Sequence, residues 1–94
     1  MHARVVRFTD VDADRIAEIK RQIESGEGPP PGVPAKAIRV MADADQSTAV
    51  VVISFESEEA MREGAKALDE MDASETPGTR ASVDLCEVVA EMEV

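Results

Sequence analysis

The chain has 94 residues, 44% of them hydrophobic, and a formal charge of −10 from 20 acidic and 10 basic side chains. That length fits one domain, read as residues 1–94, and such a chain buries only about two thirds of its unfolded surface, so a subunit interface adds to its stability. The charge disfavours nucleic acid and anionic membranes, whose binding rests on Lys and Arg, and no apolar run approaches the roughly 20 residues of a membrane span.

Ala3 to Thr9 is the first predicted strand. Asp10 or Asp12 is placed to cap the helix that follows, with Asp14 adding negative charge in its positive first turn. Ile16, Ile19 and Ile23 fall on one face of this helix, which runs to about Glu24. Ser25 to Pro34 contains three consecutive prolines and cannot be helix or central strand, so it reads as a semi-rigid loop. Lys36 to Met41 is the second strand. The polar turn from Ala42 to Ser47 then makes a hairpin with the third strand, Ala49 to Phe55. Asp43 and Asp45 lack the glycine and distal Glu of a calcium loop, so no metal is expected there.

The third strand is apolar on both faces and therefore needs two covers. It runs into a second helix capped by Ser57, with Glu58 and Glu59 in the first turn and Met61, Gly64, Ala65, Leu68 and Met71 as the buried stripe. Gly64 suits a helix that approaches the sheet closely. Asp72 to Arg80 is a loop around Thr76-Pro77-Gly78, and Ala81 to Ala90 is the last strand. The order β-α-β-β-α-β predicts an α+β, ferredoxin-like fold: a four-stranded antiparallel sheet with two helices on one face. A chain this short has little left to cover the other face, and a second subunit is the simplest source.

Many families share that topology, and the topology alone carries no function. The junction Ile53-Ser54-Phe55-Glu56-Ser57-Glu58-Glu59-Ala60-Met61 resembles that of the dimeric α+β barrel superfamily, specifically the antibiotic-biosynthesis-monooxygenase-like domain, where an aromatic precedes Glu-Ser-Glu-Glu. The N-terminal Met1-His2-Ala3-Arg4-Val5 and the C-terminal Glu87-Val88-Val89 are also similar to short members of that group. The resemblance implies a homodimer packed sheet against sheet, with a cavity between each sheet and its own helices or inside the shared barrel. It also implies that Phe55 points into that cavity, with Ala49, Val51 and Ile53 on the same side and Val50 and Val52 toward the helices.

On the first strand Arg4, Val6 and Phe8 are then expected toward the cavity, although the opposite register would place Arg7 there. Arg39 and Met41 share a face of the second strand, and Ser82, Asp84 and Cys86 share one of the last. The pocket candidates are thus Arg4, Phe8, Arg39, Met41, Phe55, Asp84 and Cys86. Arg4 or Arg39 with Asp84 would be convergent polar groups in an apolar pocket, or else an ion pair at a strand end or dimer rim. Cys86 is the only cysteine, which excludes an intrachain disulfide, and it reads as a small hydrophobe with no histidine to activate it.

The chain has no Trp, Tyr or Asn, and its one histidine, His2, sits at the N-terminus of the sequence, whereas haem-degrading relatives need one on or near the second helix. No cofactor is expected. The expected function is a cytoplasmic homodimer, non-catalytic or binding a small hydrophobic molecule. The alternatives are a cofactor-independent monooxygenase or isomerase acting on a small hydrophobic substrate, and a regulatory ligand-binding domain of the ACT type. The cytoplasmic placement rests on the lack of a recognisable leader ahead of the first strand.

Overall fold

The computed structural model describes residues 1–26, 32–70 and 78–93. Six elements follow in the order β1 (His2–Thr9), α1 (Ala13–Glu24), β2 (Ala37–Asp43), β3 (Thr48–Phe55), α2 (Glu58–Asp69) and β4 (Thr79–Glu87). The strands form one antiparallel sheet in the order β2-β3-β1-β4, with both helices on one face, the ferredoxin-like arrangement expected from the sequence. Among the described residues no helix is long and apolar enough to cross a membrane.

Local chemistry sets the ends of each element. The Arg15 N–H donates to the side chain of Asp12 at 2.8 Å, so Asp12 caps α1. Asp10 instead takes a left-handed conformation with φ of 58° ahead of the helix. The Ala60 N–H donates to Ser57 Oγ at 3.1 Å and starts α2. In the β2–β3 turn, Asp43 Oδ1 accepts the N–H groups of Asp45 at 3.1 Å and Gln46 at 3.3 Å, and its Oδ2 accepts the Gln46 side-chain amide at 3.0 Å. Both oxygens of Asp43 are therefore committed to the turn.

β4 begins two residues earlier than the sequence predicts and ends three residues earlier. Its partner β1 explains both shifts. An irregularity between Arg7 and Phe8 lets Arg80 and Thr79 pair with Phe8 and Thr9. Gly78 is required at that entry, because a Cβ there would collide with the Thr9 carbonyl oxygen. At the other end β1 runs out, and beyond it the Val88 N–H donates to the Met1 carbonyl at 2.9 Å.

Among the described residues the core forms two clusters that meet at Val51. Val6, Phe8, Val11 and Ala49 pack with Ile16 and Ile19 of α1. Val33, Ile53, Phe55 and Met61 pack with Ile38, Ala60, Ala67 and Leu68. Val33 belongs to the stretch read as loop, and it enters the core ahead of β2; the loop's prolines at positions 29–31 lie outside the described residues, as do Met71 and the turn prolyl residue Pro77. No residue of α1 is fully buried, and its third stripe position, Ile23, is 46% exposed. α2 buries Met61, Gly64 and Ala65, so it sits closer to the sheet.

The approach of α2 centres on Gly64. A Cβ at that position would stand 2.5 Å from Phe55 Cε1 and 3.4 Å from Val33 Cγ1. Gly64→Ala is therefore expected to destabilise the fold by about 1–3 kcal/mol of overpacking, partly offset by about 1 kcal/mol of helix propensity. Thermal unfolding checks this, and the loss should shrink in a Phe55→Leu background.

At the start of α2, Arg62 donates from Nε at 3.0 Å and from Nη2 at 2.7 Å to Glu58 Oε1. The hydrogen bond and charge of Arg62 hold the Glu58 carboxyl below its ordinary range. A carboxyl lowered by folding adds stability above its unfolded pKa and loses it as the pH falls through its folded value. The stability difference between wild type and Arg62→Ala is thus expected at neutral pH and should vanish on acidification, as read from urea midpoints across pH.

Candidate functional site

Pairing register and burial divide the seven candidate residues between the two faces of the sheet. The helix-covered face carries Arg4, Val6 and Phe8 of β1 beside Ala49, Val51, Ile53 and Phe55 of β3. The other face carries Ala3, Val5 and Arg7 beside Val50, Val52 and Ser54. The expectation for β3 is therefore inverted. Phe55 and Ile53 point to the protein's own helices, and Val50 and Val52 point away from them. The physical reason is volume, since the flat approach of α2 at Gly64 leaves a slot that the Phe55 ring fills completely, at 0% exposure. For β1, the members of the set Arg4, Val6 and Phe8 do share a face, but that face is packed core.

Arg39, Met41, Asp84 and Cys86 lie on the uncovered face. Three cross-strand rows can be traced through the pairings: Ala37–Ser54–Ala3–Cys86, Arg39–Val52–Val5–Asp84, and Met41–Val50–Arg7–Ser82. Ala3 is buried and the three valines are half-buried, while Arg7, Arg39, Met41, Asp84 and Cys86 are exposed. Arg39 and Asp84 occupy opposite edges of one row, three strand spacings or about 14 Å apart. They cannot act on one small substrate as a joined pair within a single chain. Arg7, Arg39 and Asp84 have no ion pair or side-chain hydrogen bond among the described residues.

Arg4 does not converge with Asp84, since the two stand on opposite faces. Arg4 is 5% exposed, and its guanidinium donates from Nη2 to Asp69 Oδ1 at 3.2 Å, at the end of α2. Arg80 donates to the same oxygen at 3.1 Å. Burial lowers the pKa of Arg4 from the ordinary arginine value, the charge and hydrogen bond of Asp69 push it back up, and Arg80 lowers it. Arg4 Nε is buried without a hydrogen-bond partner among the described residues. This arrangement ties the C-terminal end of α2 to β1 and β4. Its partners were illegible in the sequence, because Arg4 and Asp69 are 65 residues apart and neither lies in a motif.

His2 is half-buried, with Nε2 3.9 Å from Glu87 and Nδ1 buried without a hydrogen-bond partner among the described residues. Cys86 is free and exposed, on the face opposite that of His2. A separate groove of about 250 Å³ lies between the end of α1 and β2, lined by Ile23, Gly26, Ala35, Lys36 and Ile38 among others. None of the seven candidate residues lines it. Its one cation, Lys36, pairs with Glu56 at 2.9 Å. Among the described residues no group of three or more His, Cys, Asp or Glu side chains is placed to hold a metal ion.

Compared with protein-family models, curated proteins and solved structures, the chain gives no match.

The tie at Asp69 yields a prediction with two arms. Breaking a buried pair leaves a charge uncompensated, whereas replacing the charge with an apolar side chain is often neutral. Asp69→Ala should cost about 1–3 kcal/mol, below the range for a fully buried pair because Asp69 is half exposed. Asp69→Ala combined with Arg4→Met should recover most of that loss in urea denaturation.

Proposed function

We propose that the chain is a small homodimer of the dimeric α+β barrel type, related in design to antibiotic-biosynthesis-monooxygenase-like domains but assembling rather than catalysing. The observation that carries this reading is the uncovered sheet face. Its centre is Ala3, Val5, Val50 and Val52, framed by charges that find no partner within the chain's described residues. A half-apolar face next to a filled core gains by packing on a second sheet about 10 Å away. The β-α-β-β-α-β topology and the Glu-Ser-Glu-Glu junction support the same family reading.

The packing around Phe55 argues against an enzyme working in a pocket beside that ring. Gly64 and Val33 close on Phe55, and Met61 belongs to the same cluster. The charged candidates stand at opposite edges of the other face, where no acid–base pair is assembled. An ACT-type dimer, joined sheet edge to sheet edge, would leave the valine face and its charges in water. A second reading, a small hydrophobic ligand held beside α1, is supported by the α1–β2 groove and the exposure of Ile23 on its wall.

Light scattering is expected to give twice the chain mass at micromolar concentration. Val52→Glu, at the centre of the face, should give a monomer that keeps the wild-type circular dichroism spectrum. A monomeric wild type, or a Val52→Glu variant that remains dimeric, would defeat the reading.

A further inference from the structure

The charges on the uncovered face determine how two copies face each other. This inference rests on the homodimer proposed above and adds its symmetry. Arg39 stands on β2, at one edge of the sheet, and Asp84 on β4, at the other. Val52 and Val5 lie between them in the same cross-strand row. Neither charge is engaged by another described side chain.

With the strands of the two sheets aligned, the twofold axis that brings this face against its own copy runs either across the strands or along them. An axis across the strands, along this row, sets Arg39 over Arg39 and Asp84 over Asp84 of the other copy. That places like charges together at both edges. An axis parallel to the strands, running between β3 and β1, exchanges the two edges and keeps every row in register. It lays β2 of one copy over β4 of the other, and β3 over β1. Arg39 then meets Asp84 of the other copy twice, and Val52 meets Val5 twice. This is the isologous complementarity that a twofold dimer requires. We infer that two copies of this chain pack face to face about an axis parallel to the strands, joined by two reciprocal Arg39–Asp84 ion pairs.

The dimensions agree. Aligned sheets pack about 10 Å apart with strands within about 30° of each other, a gap that an arginine and an aspartate reaching toward each other can bridge. Arg7, one row away on the strand beside β4, stands diagonal to Asp84 and adds a second cation near the same carboxylate. The sheet face measures about 19 by 27 Å, a plan area of about 500 Å² that side-chain relief enlarges toward the about 800 Å² per partner of a stable interface. After the end of β4, Val89 and Met92 are more than four fifths exposed.

The test is a charge swap in the full chain, read by sedimentation equilibrium. Both positions are on exposed edge strands, and circular dichroism verifies that each variant folds. Arg39→Asp alone and Asp84→Arg alone each create two like-charge contacts per dimer, and each should weaken dimerisation at least about tenfold. The double variant restores two opposite-charge pairs and should return to within about threefold of wild type. Single variants that dimerise as tightly as wild type would overturn the inference while leaving the homodimer standing. So would Arg39→Ala or Asp84→Ala dimerising more tightly, the result expected from the axis across the strands. A monomeric wild type would defeat both the homodimer and its symmetry.

Discussion

The approach of α2 to the sheet at Gly64 is the constraint on which the rest depends. With no Cβ there, the helix settles directly over β3, and the Phe55 ring takes the space a side chain would have used. That single choice assigns the faces of β3. Once Phe55 is under the helix, Ile53, Val51 and Ala49 must follow it, and Val50 and Val52 must turn outward. The cross-strand register carries the same division to the other three strands. The placement of Arg39, Asp84 and Cys86 on the outer face thus follows from one glycine on α2.

Much of the architecture was legible in the sequence. Periodicity gave both helices, Asp12 and Ser57 acted as caps, and the apolar run of β3 signalled a buried strand. Alternation also grouped Arg39 with Met41, and Asp84 with Cys86, on shared faces. What alternation cannot supply is which face meets the helices, because β3 is apolar on both sides. The aromatic at Phe55 pointed by resemblance to a cavity, and packing against Gly64 assigned it to the core. The ends of β4 were misplaced for a related reason, since the extent of a strand is set by its neighbour and by the irregularity at Arg7 and Phe8. The tie of Arg4 to Asp69 and Arg80 could not be read at all, as it joins three elements that no local pattern relates.

The chain treats its charges in two ways. On the helix side, Arg4 is drawn out of water and held by a carboxylate, with Arg80 sharing the same oxygen. On the outer side, Arg7, Arg39 and Asp84 flank a valine centre and remain unengaged within the chain's described residues. The first group fixes a helix to a sheet. The second is suited to choosing orientation between surfaces, where charge patterns confer specificity more than raw affinity.

The central position of β1 also bears on how the molecule folds. β1 is made first but hydrogen-bonds to β3 and β4, and its Arg4 reaches Asp69 across 65 residues. The two helices and the β2–β3 hairpin can form from neighbouring sequence. The strand at the middle of the sheet must wait for the far half of the chain, and each such closure carries a loop entropy cost before any contact rewards it. Folding should therefore be slow for a protein of this length, with the earliest strand among the last to find its place.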